Sequence, residues 1–345
     1  MRRALLVDAS APKKTKRRGW YYNLGLAKAG RWLARQGFAV SRCRPPVGLL
    51  QVGQFEVAFV SAVFSWHVPA ALRAAEALRR GGSKVEVGGP GFFALRDLAR
   101  SRGFDAQVST DPRFDREPGA YDAVFWSRGC PAFNCTLGYP KDGSDPVCLV
   151  PQMEGSRSTL FPDVSPAPII LDNNLSALPR AHQEHIVERT LSAGFRRVDA
   201  NSGFEPASFK PITAEIWRRL PLVAWRFAYD EVAERAKVLR VVEILDGIGI
   251  KRRALHIYCL AGNEPLEACE QRVREIREWG CVPVVQRRRP LDYTGEGPLP
   301  TIHGWTERRL IDFQRWGNRL SFAMPFAKYD PKLNHSGKKI GRAHV

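Results

Sequence analysis

Hydrophobic and polar positions alternate with two different periods along the first third of the chain. Short apolar runs such as RALLVD, FAVSRC, FEVAFVS and KVEVG are typical of buried strands. Between them, YYNLGLAKAGRWLARQG and VPAALRAAEALRRGG have apolar residues three to four positions apart, which indicates amphipathic helices. Strands that alternate with helices predict a parallel sheet covered by helices. Residues 1–110 are therefore interpreted as a small Rossmann-like domain.

The same alternation resumes at Tyr121 on a larger scale. Six runs have strand character: YDAVFWS, APIILDNN, FRRVDANSG, AWRFAYDE, ALHIYCLAG and CVPVVQRRR. The segments between them have helical periodicity, and several end at glycine. Six βα units in succession predict an α/β fold with a partial (βα)6 barrel over residues 121–300. Residues 111–120 are interpreted as a linker, and residues 301–345 as a C-terminal helical extension with a basic tail.

Composition narrows the class of protein. A chain of 345 residues, of which 44% are hydrophobic, can bury a large core. The longest apolar runs, such as FEVAFVSAVFSWHVPAAL, are too interrupted to span a bilayer, and MRRALLVDAS becomes polar too early for a signal peptide. A cytoplasmic protein without a membrane partner is therefore expected, and its seven cysteines are expected to be reduced thiols.

The chain carries a large excess of positive charge. Its 53 Lys and Arg residues outnumber 35 Asp and Glu residues, which gives a formal net charge of +18. Such a surface attracts polyanions, so a nucleic acid or another polyanion is an expected partner. The run KKTKRR, from Lys13 to Arg18, is the most concentrated positive segment, although a solvated loop would look the same. A non-catalytic nucleic-acid-binding protein therefore stays open beside an enzyme.

Three cysteines lie in one loop after the first strand of the predicted barrel: Cys130, Cys135 and Cys148. In such barrels the catalytic and binding residues lie at the carboxyl ends of the strands. Soft thiolate ligands on one loop suit an iron–sulfur cluster or zinc, but the paired C-x2-C spacing of structural zinc sites is missing. Alternatively, the three cysteines are ordinary thiols in an irregular loop and bind no metal. Cys259, Cys269, Cys281 and His67 are interpreted as core or surface residues.

The stretch SRGCPAFNCTLGYPKDGSDPVCLVPQMEG, from Ser127 to Gly155, resembles the cluster loop of the radical S-adenosylmethionine (radical SAM) family. Later segments, including IILDNNLSA, VDANSGFEP and HIYCLAGNEPLEACEQRV, are similar to a bacterial and phage branch of that family over roughly residues 120 to 330. The resemblance implies that the three cysteines hold a [4Fe-4S] cluster, which reductively cleaves S-adenosyl-L-methionine with electrons from a partner such as flavodoxin or ferredoxin. The spacing here is C-x4-C-x12-C where the family has C-x3-C-x2-C, so a looped-out insertion is expected before Cys148.

The resemblance also implies cofactor contacts at the polar ends of the predicted strands. These candidates are Asp172, Asn173, Asn174, Asn201, Ser202, Arg226 and Asp230. Judged from the residues alone, Asp-Asn-Asn also makes a good turn and helix cap, and Arg226 is equally suited to a structural ion pair.

The N-terminal domain is similar to the cobalamin-binding-like domain that often precedes such barrels. The stretch DASAPKK begins where a D-x-H-x-x-G loop would stand, but it supplies neither the His nor the Gly. Cobalamin is therefore not expected as a cofactor, and a cobalamin-dependent methyltransferase is kept only as an alternative function.

Overall fold

The computed structural model of the chain describes residues 2–10, 23–48, 52–107, 112–115, 117, 119–131, 148–319 and 325–329. In chain order, the strands and helices of the N-terminal part are β1 (Arg3–Asp8), α1 (Leu24–Arg35), β2 (Ala39–Cys43), β3 (Val57–Ser61), α2 (Val68–Arg80), β4 (Lys84–Gly88), α3 (Pro90–Ala94), α4 (Arg96–Ser101), β5 (Ala106–Gln107) and α5 (Pro112–Asp115). The rest comprises β6 (Ala123–Val124), β7 (Ser127–Arg128), α6 (Val150–Glu154), β8 (Thr159–Leu160), β9 (Ile169–Ile170), α7 (Arg180–Ser192), β10 (Asp199–Ala200), α8 (Pro211–Trp217), β11 (Trp225–Ala228), α9 (Arg235–Gly247), β12 (Leu255–Ala261), α10 (Leu266–Glu278), β13 (Val282–Arg287) and α11 (Glu307–Gly317). Short 3-10 helices add Ser65–His67, Leu175–Ala177, Val232–Glu234, Arg252–Ala254 and Phe326–Lys328.

The first five strands form one parallel sheet in the order β2-β1-β3-β4-β5. The central strand β1 is apolar on both faces because helices cover both: Leu5 and Val7 pack in a core with α2, whereas Ala4 and Leu6 pack in a second core with α1. The strand order reverses direction between β1 and β3. In open parallel sheets, the crevice outside the carboxyl ends of the strands at such a reversal is the usual ligand site.

Six further strands lie side by side in chain order. Strands β6, β9 and β10 form one parallel sheet, and β11, β12 and β13 form another. The bridges Val198–Leu222 and Phe204–Phe227, both parallel, connect β10 with β11. The predicted mixed α/β fold with parallel sheets is confirmed. An antiparallel pair, β7 with β8, was not expected from the sequence.

Two segments outside the predicted domains contain helices that pack on the rest of the chain. The segment interpreted as a linker contains α5, whose Phe114 contacts Trp32 and Phe59 edge to face at 5.7 Å between ring centroids. The C-terminal extension contains α11, whose Phe313 and Trp316 are fully buried in the core of the six-strand region. That helix is therefore part of the core.

The basic tail lies outside the described residues. None of the helices within the described ranges is long and apolar enough to cross a membrane.

Candidate active-site cleft

A cavity of about 770 Å³ lies between the five-stranded sheet and the six-strand region. Its volume falls in the upper part of the range of about 300–1,000 Å³ that is typical of small-molecule sites. We call this cavity the cleft. Residues that line it from the five-stranded sheet and its loops include Asn23, Gly25, Lys28, Ser61, Val63, Phe64, Trp66, Glu86, Gly89 and Gly91. Residues that line it from the other side include Arg128, Cys148, Met153, Glu154, Ile169, Asn173, Asp199, Asn201, Ser202 and Arg289.

Asn23 organises the sheet side of the cleft at the reversal of strand order. Its Nδ2 donates to Asp8 Oδ1 at 3.3 Å and to Ser61 Oγ at 3.2 Å, which are the last residues of β1 and β3. Its Oδ1 accepts from the Leu26 N–H at 3.1 Å and so caps the start of α1. One side chain thus fixes two strand ends and one helix start around the crevice.

Two glycines leave part of this wall without side chains. Gly89 has φ +98°, and a Cβ there would lie 2.8 Å from the Ala62 carbonyl oxygen. A Cβ at Gly91 would lie 2.6 Å from the Phe64 carbonyl group. The turn after β4 therefore packs backbone against backbone on the loop after β3, which glycine alone permits. This packing fixes the position of the turn that lines the cleft.

The base of the cysteine loop is held closed by backbone contacts. The Cys130 N–H donates to the Gly155 carbonyl oxygen at 3.2 Å, and β7 pairs with β8 just outside this contact. Gly129 has φ +90°, and a Cβ there would collide with the Arg157 carbonyl oxygen. The two ends of the loop are therefore fixed to each other, although its interior lies outside the described residues.

The carboxylate of Glu154 adds a side-chain clamp at the same base. It pairs with the Arg128 guanidinium at 2.9 Å, and the two side chains are 5% and 8% exposed. It also accepts from the Gly129 N–H at 3.0 Å and from Asn173 Nδ2 at 2.8 Å. Glu154 thus joins the segment before Cys130, the helix after Cys148 and the strand end after β9. Sequence reasoning missed this residue.

The structure places two of the three candidate ligands beside the cleft. Cys148 lines it, and Cys130 lies at the closed base of the loop, where Asn174 Nδ2 lies 3.9 Å from its Sγ in hydrogen-bonding geometry. Cys135 and the expected insertion lie outside the described residues. Within the described ranges, no group of three or more His, Cys, Asp or Glu side chains is placed to hold a metal ion. The ligand set therefore stays a prediction that requires Cys135.

Three of the predicted cofactor residues, Asn173, Asn201 and Ser202, line the cleft. The Nδ2 of Asn173 is engaged by Glu154, which leaves its Oδ1 as an acceptor for a ligand N–H group. Ser202 Oγ donates to the Leu171 carbonyl oxygen at 3.3 Å. These side chains offer a ligand a short row of neutral polar groups.

Asp172 and Asn174 lie behind that wall and make structural contacts. The carboxylate of Asp172 is fully buried and accepts from the Trp126 N–H at 3.0 Å and from Ser127 Oγ at 2.6 Å. Burial raises the pKa of Asp172 to about 6, although these hydrogen bonds oppose the shift. Asn174 Oδ1 accepts from the Ala177 N–H at 3.2 Å and caps a 3-10 helix. Direct contact of either residue with a cofactor stays a prediction.

Arg226 and Asp230 are also engaged within the protein. Arg226 forms an ion pair with Asp199, one strand away, as its alternative interpretation expected. Asp230 Oδ1 accepts from the Leu260 N–H at 2.8 Å, and burial, followed by the neighbouring Glu234, raises the pKa of Asp230 to about 7. Asp199, which lines the cleft, was not predicted. Cofactor contact by Arg226 or Asp230 stays a prediction.

The remaining cysteines of the described residues lie outside the cleft. Cys259 and Cys269 are buried in β12 and α10, and burial raises the pKa of the Cys259 thiol to about 12. Such thiols are poorly reactive. The run from Lys13 to Arg18 lies outside the described residues, so the expected polyanion partner stays a prediction.

Comparison with known proteins finds the same fold in solved structures. No protein-family profile matches the chain, and no curated protein matches it in sequence. The radical S-adenosylmethionine methyltransferase TsrM from Kitasatospora setae, with cobalamin and [4Fe-4S] cluster bound, aligns with a TM-score of 0.58 at 15% identity over 86% of this chain and 77% of that one. The same enzyme with tryptophan substrate and the SAM analog aza-SAM bound aligns with a TM-score of 0.54 at 13% identity over 88% and 75%. The resemblance to the radical SAM family is confirmed at the level of the fold.

This likeness overturns one expectation from the sequence. Cobalamin was excluded because the loop after Asp8 lacks the histidine of D-x-H-x-x-G, but a structure that shares the fold of this chain holds cobalamin together with its cluster. The exclusion was wrong in its reasoning. A missing histidine removes one ligand to cobalt, whereas a large cofactor is retained mainly through the surface it buries.

Proposed function

We propose that this chain is a cobalamin-dependent radical SAM methyltransferase. In this proposal the six parallel strands form a partial barrel, and the five-stranded sheet forms a Rossmann-like domain beside it. One observation carries the proposal: a single cleft of about 770 Å³ is bounded by the carboxyl ends of the five-stranded sheet, the end of the cysteine loop and the polar strand ends of β9 and β10. In this proposal the ends of the five-stranded sheet would bind cobalamin, the cysteine loop would bind the cluster, and the polar strand ends would bind S-adenosylmethionine. All three surfaces line the same cavity.

The cysteine loop fits an iron–sulfur cluster. Cys130 and Cys148 stand at the two ends of a loop whose base is closed by the clamp of Glu154, and Cys135 lies between them in sequence. Three thiolates leave one iron of a [4Fe-4S] cluster open to another ligand. The sulfur donors and their spacing around a fixed loop support this site more than a zinc site, which takes four protein ligands.

The sheet side of the cleft fits cobalamin. The backbone of Gly89 and Gly91 lines the cleft at the turn after β4, and the apolar side chains of Val63, Phe64 and Trp66 continue the wall. Among the described residues, no histidine lines the cleft. Cobalamin would therefore bind through buried area and backbone contacts, without a histidine ligand from the described wall.

When bound, these groups supply a reducible sulfonium, an electron source and a methyl carrier. The residues of the chain bind, orient and exclude water. Asn173 lines the cleft, and Glu154 accepts from its Nδ2, which leaves the Asn173 Oδ1 as an acceptor for a ligand N–H group. Leu149 and Met153 cover the same side with apolar surface, which keeps water from a reactive centre.

A tryptophan at Gly25 tests the cofactor assigned to the cleft. Gly25 lines the cleft in the first turn of α1, and a Cβ there makes only an ordinary contact, with Asn23 Oδ1 at 3.7 Å. We expect Gly25→Trp to place a large side chain in the cleft and to weaken the binding of hydroxocobalamin by about 100-fold or more, because several buried contacts are lost at once. Binding is measured by absorbance after equilibrium dialysis, and iron content is measured on the same samples.

Gly247→Trp is the matched control. Gly247 is also helical, at the end of α9, and a Cβ there meets nothing within 4 Å. We expect this variant to bind cobalamin as the unmodified chain does. Equal cobalamin affinity in both tryptophan variants would show that cobalamin does not occupy the cleft.

A further inference from the structure

Strand β13 ends at Arg287, and two further arginines, Arg288 and Arg289, follow it beside the cleft. The other arginines of the cleft wall have carboxylate partners: Arg113 pairs with Glu86 at 2.8 Å, and Arg128 pairs with Glu154 at 2.9 Å. For Arg289, which also lines the cleft, no carboxylate of the described residues lies within ion-pair distance. This guanidinium faces a ligand cavity without a counter-charge from the described chain.

Arg289 is held in a defined position by aromatic stacking. Its guanidinium carbon lies 4.3 Å from the centroid of the Trp66 ring. Trp66 in turn stacks on Phe64, with centroids 4.6 Å apart and ring planes 8° from parallel. A planar guanidinium placed over an aromatic face keeps its N–H groups free to donate in pairs at its edge. The stack therefore holds the Arg289 guanidinium in a position to donate hydrogen bonds to a ligand in the cleft.

The stack is anchored by contacts from the other side of the cleft. Ser65 Oγ donates to the Tyr293 carbonyl oxygen at 2.8 Å. Gly295 has φ +81° and packs so closely on Trp66 that a Cβ there would lie 2.9 Å from the Trp66 Cβ. Both sides of the cleft therefore contribute to the position of the Trp66 ring, and the donor does not depend on a single flexible side chain.

The surroundings of Arg289 concentrate positive charge. Arg288 Nε is buried with no hydrogen-bond partner among the described residues. Burial, followed by the charge of Arg289, lowers the pKa of Arg287 and also that of His67. The charges of Glu307, near Arg287, and of Asp8, near His67, oppose these shifts only in part. Partly buried cations with too little counter-charge cost free energy, which a bound anion offsets. The site thus favours an anionic ligand.

We infer that Arg289, supported by Trp66, binds a carboxylate or phosphate group of the substrate. The substrate class that follows is an anionic compound whose charged end meets the edge of the Arg289 guanidinium and whose apolar body lies in the cleft. This inference rests on the proposed function, because that function makes the third occupant of the cleft a substrate. Fork-shaped donation from a guanidinium to a carboxylate or phosphate is the strongest geometry for such recognition.

The experiment uses naphthalene-1-acetate, 1-naphthyl phosphate and the neutral naphthalene-1-acetamide as probes. Their binding to the full-length, reconstituted protein is measured by isothermal titration calorimetry. We expect each anionic probe to bind about tenfold more tightly than the amide, since a hydrogen bond to a charged group contributes on the order of 1.5 kcal/mol. In Arg289→Gln this preference should disappear.

Arg253→Gln is the control, because Arg253 is an exposed arginine before β12, outside the cleft. It should keep the preference for the anionic probes, and Arg289→Lys should keep only part of it, because lysine has no planar fork. Equal binding of the amide and the anions to the unmodified chain, no binding of any probe, or an unchanged preference in Arg289→Gln would each overturn the inference.

Two further titrations separate the substrate from the cofactors, which also carry a carboxylate and a phosphodiester. S-Adenosylmethionine and hydroxocobalamin are titrated into the unmodified chain and into Arg289→Gln, and both affinities should agree within about twofold. A tenfold loss of either would assign the arginine to that cofactor and overturn its assignment to the substrate. A chain that loads iron and cobalt but shows no preference for anions contradicts this inference alone. A chain that prefers anions but takes up no cobalt contradicts the proposed function alone.

Discussion

Glu154→Gln is expected to prevent the chain from holding an iron–sulfur cluster after anaerobic reconstitution. The Glu154 carboxylate contacts Arg128, the Gly129 N–H and Asn173 Nδ2, and it is almost completely buried. Glutamine removes the charge opposite Arg128 and places an amide N–H group where only acceptors fit. Breaking one partner of a buried pair costs about 3–5 kcal/mol, which is enough to open the base of the cysteine loop. Iron and sulfide per chain and the brown absorbance measure the result.

Glu215→Gln is the matched control for this change. Glu215 pairs with Arg218 at 3.5 Å, and both side chains are about half exposed, so the pair contributes little. This variant should bind iron as the unmodified chain does, and circular dichroism should show that both variants are folded. A full complement of iron in Glu154→Gln would show that the clamp does not support the cluster site.

Arg272→Met is expected to cause the largest loss of stability. The Arg272 side chain is fully buried in α10, its Nη1 donates to the Tyr229 carbonyl oxygen at 2.7 Å, and its Nη2 donates to the Leu260 carbonyl oxygen at 3.1 Å. Its Nε lies 2.9 Å from Glu264 Oε2. Methionine fills similar space but leaves these acceptors without donors, so the free energy of unfolding should fall by about 3–5 kcal/mol. Urea denaturation of the full chain measures the change.

Arg274→Met, two residues along the same helix, controls for the loss of a charge. Arg274 pairs with Glu270 at 2.6 Å, but its side chain is 48% exposed. Its removal should lower the free energy of unfolding by less than about 1 kcal/mol. If the two variants unfold within 1 kcal/mol of each other, the network around Arg272 is not what holds α10 on β11 and β12.

Much of the fold could be predicted from the sequence because its elements are strongly periodic. The apolar spacing predicted α2, α7 and α10, and the apolar runs predicted β1, β3 and β12, all of which the structure contains. The pair β7 with β8 could not be predicted, because it has only two residues in each strand and depends on the clamp between segments distant in sequence. The burial of Trp316 on β13 likewise follows from the tertiary arrangement, which periodicity does not encode.

The candidate site was predictable only in part, for a related physical reason. Asn173 and Asp172 are neighbours at one strand end, and a pattern of polar residues cannot show that one lines the cleft while the other turns back to the Trp126 N–H, 46 positions away. Cobalamin was dismissed on a missing histidine, and the glycines of VGGPG after β4 show only that this turn packs closely on the loop after β3. Arg289 and Trp66 meet only through folding.

The central proposal is that one cleft would serve both an iron–sulfur cluster and cobalamin. The most direct measurement is the metal content of the full-length chain after anaerobic reconstitution with iron, sulfide and hydroxocobalamin and removal of unbound material. We predict about four irons, as a [4Fe-4S] cluster requires, and about one cobalt per chain, because the five-stranded sheet has one crevice at the reversal of its strand order. A folded chain that retains iron without cobalt, or that retains neither metal, would contradict the account.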